Sequence, residues 1–153
     1  MTIHRLPAVL LALLIIACTS VTTLNQRQTL DRLYGEHQIY ESFYDQLSAA
    51  ILTENAAQDA ELVHYPVRII TVTGTEFIAD KSQFIARFND IITPTIINAV
   101  RQQTFGTLFA NSNGLMIGAG QIWFTGICTG HIAGQECDNV IVRVITFNNR
   151  IGG

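Results

Sequence analysis

The sequence has little charge and almost no lysine: Lys81 is its only lysine, and 14% of its residues are charged. Soluble proteins average about 25% charged residues. Proteins that track a phosphate backbone cluster lysine and arginine on one surface, so no nucleic-acid partner is expected. The net charge of −3 is small and the apolar fraction is 48%, which argues against a disordered chain. The 153 residues suffice for one domain with a buried core.

The apolar run near the N-terminus is too short to cross a bilayer. It covers residues 6–17, whereas a membrane-spanning helix needs about 20 residues. His4 and Arg5 precede the run, and it ends at Ala17 followed by Cys18. A short apolar run behind a basic start is typical of a secretory signal peptide. We therefore expect residues 1–17 to be removed on export.

The junction at Ile15-Ile16-Ala17-Cys18 resembles the lipobox of bacterial lipoproteins. The resemblance implies that Cys18 is acylated and becomes the first mature residue, so that lipid holds the protein on a membrane. Thr19, rather than aspartate, follows the cysteine, which in that pattern implies an outer-membrane lipoprotein facing the periplasm. The alternative is an ordinary signal peptide cleaved nearby, with a soluble periplasmic or secreted product.

Two further cysteines, Cys128 and Cys137, flank a glycine-containing loop. In an oxidising compartment such a pair forms a disulfide, which we expect here. The alternative is a metal site formed by Cys128, His131 and Cys137, but this set offers three ligands and structural zinc sites use four. The sequence thus predicts neither a metal nor a cofactor.

The helical patterns lie mostly in the first two thirds of the chain. After a polar linker over residues 18–28, apolar residues spaced by three and four predict one amphipathic helix of about six turns from Leu30 to Ile51. A shorter helix follows over residues 53–62. Asp80 is a predicted N-cap that forms a capping box with Gln83. The helix that begins after Asp80 is expected to kink or to restart at Thr93-Pro94.

The predicted strands lie before and after the helix that begins after Asp80, and they make up most of the C-terminal third of the chain. β-branched and apolar residues predict paired strands on both sides of Gly74. Gly118 and Gly120 predict a bend within one long strand, and the last strand is expected to run antiparallel to it. The predicted strands cover residues 67–73, 75–79, 107–110, 115–127 and 140–147.

Three motifs accompany this order of elements: Phe84-x3-Phe88-x-Asp90-x-Ile92, Leu108-Phe109-Ala110-Asn111 and Gly114-Leu115-Met116-Ile117-Gly118-x-Gly120-Gln121-Ile122-Trp123-Phe124. The order resembles the nuclear-transport-factor-two-like superfamily, the cystatin-like α+β cone, and the motifs resemble those of uncharacterised bacterial envelope members. The resemblance covers about residues 29–148, most of the mature chain. It implies a single α+β domain over residues 29–150, in which a curved antiparallel sheet packs on a long N-terminal helix and two further helices. The scaffold carries many functions, including isomerases, dehydratases, ligand binders and proteins that dimerise through the sheet.

Enzymes on that scaffold use an acid or histidine as base and a tyrosine or second acid as oxyanion donor. No spacing in this chain demands that chemistry, so no catalytic residue is predicted. Solvated faces and edge charges are the preferred roles of most of these acids. For Asp90 we prefer a pairing with Arg87 or a cap near the Thr93-Pro94 break, and for His64 we prefer packing. The residues weighed were the acids and histidine Asp31, Asp45, His64, Glu76 and Asp90 and the tyrosines Tyr34, Tyr40, Tyr44 and Tyr65.

Two arginines interrupt otherwise apolar strands. Inside a pocket, Arg68 or Arg143 would bind a carboxylate bidentately; on an exposed sheet face it would lie over apolar neighbours, which we prefer. Trp123 is predicted to anchor the core, with a sheet-face dimer patch as the alternative. The candidate ligand-binding residues are Tyr40, Tyr44, His64, Arg68, Asp90, Trp123 and Arg143.

These observations together predict an exported or lipid-anchored envelope protein that binds a small ligand or a protein partner without catalysis. A homodimer through the sheet face is a further expectation. The alternative is an enzyme of the isomerase or lyase type, with an acid or histidine beside a tyrosine in a shielded pocket.

Overall fold

The computed structural model describes residues 8–130, 137 and 139–151, with side chains from residue 21 onward. The predicted signal-peptide side chains, the side chain of Cys18 and His131 lie outside the described residues. The remainder is an α+β fold with a six-stranded mixed sheet. Its elements are α1 (Ala8–Tyr34), α2 (Gln38–Leu52), α3 (Ala56–Glu61), β1 (Val63–Thr71), β2 (Gly74–Ile78), α4 (Lys81–Ala86), α5 (Phe88–Ile91), α6 (Pro94–Gln102), β3 (Phe109–Asn111), β4 (Gly114–Ile117), β5 (Ile122–Cys128) and β6 (Val140–Asn148).

The predicted single helix from Leu30 to Ile51 is wrong, because two helices meet at Gly35. Gly35 has a φ of +86°, a left-handed conformation that glycine adopts without steric cost at helix ends. Its N–H donates to the Asp31 carbonyl at 3.0 Å, which closes the end of α1. The side chains of Arg27 and Glu41 then join the two helices through two hydrogen bonds of 2.9 and 2.7 Å.

The segment expected as a linker, residues 18–28, lies within α1. Gln26 is buried there, with 8% of its surface exposed. A Cβ atom added at Gly106 would lie only 2.8 Å from the backbone nitrogen of Thr23. The short turn Phe105–Thr107 therefore approaches α1 so closely at Thr23 that position 106 needs a glycine.

The Asp80 cap and the restart at Pro94 are confirmed, whereas the predicted capping box with Gln83 is not formed. Gln83 N–H donates to the Asp80 carboxylate at 2.9 Å, so Asp80 is the N-cap of α4. The Gln83 side chain accepts from Ala79 N–H at 3.2 Å instead of closing the capping box on Asp80. Pro94 occupies the first turn of α6, where the absence of an N–H costs nothing.

The sheet is mixed, which corrects the expectation of an antiparallel sheet. Its strand order is β2-β1-β6-β5-β4-β3, and β1 pairs with β6 in parallel. The other four neighbouring pairs are antiparallel. Adjacent antiparallel strands follow from short connections, whereas the β1–β6 pairing joins distant parts of the chain and has no local sequence pattern.

The predicted long strand over residues 115–127 is also wrong, because the chain reverses direction within it. Gly118 and Gly120 have φ values of +67° and +114°, and they form the turn between β4 and β5. Ile117 and Ile122 then face each other across the antiparallel pair. Both a bend and a reversal need such glycines, so the glycines alone do not distinguish them.

A bulge in β6 decides which side chains face the helices. Trp123 pairs with Thr146 and Phe124 pairs with Val144, which leaves Ile145 as an extra residue. Phe147 is thereby turned to the buried face with Phe124 and Val144, each 0% exposed. Trp123 is half-buried on the opposite face, so its predicted core position is wrong.

Candidate functional site

The space between the helices and the sheet is filled by aromatic side chains. The rings of Phe43 and Phe124 lie 5.3 Å apart, and those of Phe84 and Phe147 lie 5.6 Å apart. Phe88 packs edge-on against Phe84 at 6.1 Å. The centre of the predicted cone is thus a packed core, and the candidate site residues lie around it in separate places.

The candidate bases lie at the surface. Asp31, Asp45, His64 and Asp90 are all exposed. Asp31 Oδ1 lies 2.8 Å from the Nδ1 atom of His37, across the break between α1 and α2. These carboxylates have ordinary solvated or helix-terminal positions and do not enter the core.

Glu76 and Asp90 share Arg87. Two hydrogen bonds of 2.7 and 2.8 Å join the Arg87 guanidinium to Glu76, and these bonds hold the pKa of the Glu76 carboxyl below its ordinary value. Asp90 Oδ2 lies 3.8 Å from Arg87 Nε. The preferred pairing of Asp90 with Arg87 is confirmed.

Three tyrosine hydroxyls donate to backbone carbonyls. Tyr34 donates to Asn111, Tyr44 donates to Gln103 at 2.8 Å, and Tyr65 donates to Ala60 at 3.0 Å. In the described part of the chain, none of the candidate bases hydrogen bonds to a tyrosine hydroxyl. These tyrosines therefore connect elements of the fold.

Tyr40 lies at one end of the core, beside the disulfide loop. It is 3% exposed and stacks on Tyr34 with ring centroids 4.7 Å apart. A Cβ atom at Gly126 would lie 2.6 Å from its hydroxyl oxygen. Burial raises the pKa of Tyr40 to about 12, so this hydroxyl is a neutral donor at physiological pH. The two rings border a cavity of about 490 Å³ that Cys137 and Asn139 also line.

Asp59 is a buried carboxyl that sequence reasoning missed. It is 0% exposed, and within the described residues neither carboxyl oxygen has a hydrogen-bond partner. Burial raises its pKa from 3.8 to about 7, because the apolar surroundings disfavour the charged form. The pattern was visible in the sequence: Ala56, Asp59, Ala60 and Val63 have the three- and four-residue spacing of a buried helix face.

The outer face of the sheet presents one cross-strand row to which every strand contributes. We call this set the outer row. Phe77 and Phe109, at its two ends, are 62% and 49% exposed. Arg68 Nε donates to Thr146 Oγ1 at 3.2 Å, and the ring of Trp123 lies edge-on to Phe109 at 6.3 Å. In register order the outer row is Phe77, Arg68, Thr146, Trp123, Met116 and Phe109.

The outer row is mostly apolar and contains one charge, that of Arg68. A shallow cavity of about 230 Å³ lies in it, lined by Arg68, Asn113, Trp123 and Ile145. The structure thus brings two of the candidate ligand-binding residues, Arg68 and Trp123, to one surface. Phe77 and Phe109 were not among the candidates, because the strand pairing that aligns them is not local.

Arg143 lies elsewhere, in an open groove between α2 and the first half of β6. We call it the edge groove. Its volume is about 470 Å³. The Arg143 guanidinium donates to the carbonyl of Val142 at 2.7 Å. The groove is lined by Gln38, Ile39, Ser42, Phe43, Gln46, Leu62, Val140, Ile141, Val142 and Arg143.

The predicted disulfide between Cys128 and Cys137 is confirmed. Because these sulfurs are bonded to each other, they are not free to bind a metal as thiolates. Among the residues that the structure describes, no three histidine, cysteine, aspartate or glutamate side chains form a group that could hold a metal ion. None of the helices in that part of the chain is long and apolar enough to cross a membrane.

No protein-family model, curated protein or solved structure matches this chain. Its function must therefore be argued from the outer row, the edge groove and the packed core themselves.

Proposed function

We propose that this chain is an exported envelope protein that acts by binding, and that it docks a protein partner on its outer row. We also propose that it is a member of the nuclear-transport-factor-two-like superfamily. The order of helices before β1, the helices between β2 and β3 and the run of strands that follows support this assignment. Proteins with such scaffolds include both binding proteins and enzymes, so the fold does not distinguish the two functions and the surface residues must be considered.

The observation that carries the proposal is the exposure of aromatic side chains along one continuous sheet face. Phe77 and Phe109 are 62% and 49% exposed at opposite edges, with Trp123 between them. Contiguous exposed apolar surface is unusual on a protein that acts alone, and aromatic and arginine side chains are enriched at protein interfaces. Arg68 adds an anchor that fits an acidic or carbonyl group of the partner.

An isomerase or lyase would need a shielded base within reach of a tyrosine hydroxyl. Here the hydroxyls of Tyr34, Tyr44 and Tyr65 donate to backbone carbonyls, and the core centre is filled by phenylalanines. This geometry supports binding over that chemistry.

The Cys128–Cys137 disulfide supports export, because it suits an oxidising compartment. Cleavage before Cys18 is compatible with the fold, because it would leave in place the part of α1 that approaches Gly106 at Thr23. We propose that Cys18 is then acylated. Palmitate labelling of the exported protein should disappear in Cys18→Ser, and a Cys18→Ser protein that still incorporates palmitate would remove the lipoprotein proposal.

Site-specific photo-crosslinking in the exporting cell tests the docking surface. A photoreactive phenylalanine analogue is placed at Phe77, at Phe109 or, as a control, at Ile85, which is 45% exposed on α4. We expect the same discrete adduct from positions 77 and 109, none from position 85, and loss of the adduct when Trp123→Ser is added.

If the mass of the adduct is twice the mass of the protein, the partner is a second copy of the chain. Absence of any adduct at positions 77 and 109, or equal adducts at position 85, contradicts the proposal.

A further inference from the structure

The first half of β6 has a free backbone edge. β1 pairs with β6 in parallel from Val63, opposite Val144, onward. Upstream of Val63 the chain turns away into α3, so β1 does not cover the four residues Val140 to Arg143. On its other side this stretch pairs with β5 over its whole length. Among the described residues, the edge of β6 before Val144 therefore lacks a strand partner.

The main-chain groups of Val140 and Val142 point toward this free edge. Val144 N–H donates to the Leu62 carbonyl, on the side of β6 away from β5. The Asn139 carbonyl accepts from Thr129 N–H, on the side of β5. Because successive residues of a strand direct their polar groups to opposite sides, Val140 and Val142 share the orientation of Val144. They are positioned to pair with an added strand.

The opposite wall of the edge groove is built to hydrogen bond as well. Gln38, Ser42 and Gln46 recur every four residues along α2 and so form one stripe on that helix. Phe43 and Leu62 lie at the bottom of the groove and are 5% and 8% exposed. Polar groups thus line both walls above an apolar floor. An extended peptide has the matching chemistry, with main-chain groups on both edges and side chains above and below.

Of the residues that the structure describes, Arg143 is the only charged one that lines the edge groove. Its guanidinium donates to the Val142 carbonyl on this edge at 2.7 Å, and an incoming peptide N–H would take that place. The two acids of α2, Glu41 and Asp45, are each adjacent in sequence to a stripe residue, but neither lines the groove. Glu41 is also hydrogen bonded to Arg27. The groove therefore favours a carboxylate on its ligand.

We propose that the edge groove is a second binding site, which takes an extended, carboxylate-bearing peptide segment of a partner protein by β-strand addition to Val140–Arg143. The added strand continues the line of β1 beyond its first residue, and its carboxylate binds the Arg143 guanidinium. The free stretch is about 13 Å long, which suits a peptide of about four or five residues. This proposal shares with the proposed function only the idea that the protein binds, since it uses different residues.

The test is a titration of the ¹⁵N-labelled exported protein, with its disulfide intact, followed by amide NMR signals and by calorimetry. The probe is an acetylated and amidated pentapeptide of alternating threonine and valine that ends in glutamate. We expect shifts at the Val140 and Val142 amides and slower hydrogen exchange at Val142. A peptide with the same side chains but methylated backbone nitrogens should not bind.

The charge is tested with matched arginine variants. We expect Arg143→Gln, or a peptide ending in glutamine, to weaken binding about tenfold or more, because a charge-assisted hydrogen bond is lost. Arg101→Gln, at an exposed position on α6 and outside both proposed sites, should leave binding within about twofold. No shift on β6, equal binding of the methylated peptide, or equal losses in both arginine variants would overturn the proposal. Because the cross-links at Phe77 and Phe109 do not involve this groove, either proposal can fail while the other stands.

Discussion

The two faces of the sheet carry similar apolar side chains, but one face is buried against the helices and the other is exposed to solvent. Phe124, on the face that meets the helices, is 0% exposed. Its neighbour Trp123 points the other way and is half-buried, in a row that ends in exposed phenylalanines. Apolar side chains on the first face stabilise the fold, because their burial removes apolar surface from water. Those on the second face leave that free energy available for a partner, which is why we assign binding to it.

The largest expected effect separates these two adjacent residues. Phe124→Ala should lower the free energy of unfolding by about 3–5 kcal/mol, because it leaves a cavity among Phe43 and its neighbours. Trp123→Ala should lower it by about 1–2 kcal/mol, since that side chain is only partly buried and does not lie among the core phenylalanines. Chemical denaturation of both variants measures the difference. Equal losses would contradict the contrast between the two faces.

The second effect concerns Asp59, the buried carboxyl in the helical layer. Its folded pKa of about 7 is above the unfolded value of 3.8, so the protonated form stabilises the fold. That stabilisation is fully present below about pH 4 and is lost as pH rises to about 7, a change on the order of 2–4 kcal/mol. Asp59→Asn should remove this part of the pH dependence. Denaturation midpoints measured between pH 4 and 8 check it, and an unchanged pH profile in the variant would show that Asp59 is ionised in the fold.

The smallest expected effect on stability belongs to the ends of the outer row. Phe77→Ser and Phe109→Ser should each change the free energy of unfolding by no more than about 0.5 kcal/mol, because about half or more of each residue is already exposed to water. Both should nevertheless weaken partner docking, whereas Ile85→Ser should not. A loss of stability comparable to that of Phe124→Ala would mean that the outer row belongs to the core.

Local signals predicted part of this fold. The Asp80 cap, the restart at Pro94 and the Cys128–Cys137 bridge were readable because the interacting residues are close in sequence. The break at Gly35 was missed because the three- and four-residue spacing continues across it. A glycine at position 35 is compatible with a continuous helix or with a break, and contacts with the rest of the fold determine which one forms.

The candidate surfaces depended on pairings that no local pattern reports. The parallel β1–β6 pair places Arg68 beside Thr146 and, among the described residues, leaves Val140 without a strand neighbour on the side away from β5. The bulge at Ile145 turns Phe147 inward, to the face opposite Arg143, whereas regular alternation without a bulge would place the two residues on one face. Sequence alternation thus identified the unusual arginines but not the surfaces to which they belong.

Thiol accessibility in the envelope tests the central claim most directly. Phe77→Cys, Phe109→Cys and Ile85→Cys are reacted with a maleimide in exporting cells and again after purification. We predict that positions 77 and 109 react several-fold more slowly in the envelope than in the purified protein, while position 85 reacts equally in both. Equal rates at all three positions in both settings would contradict the claim that a partner covers the outer row.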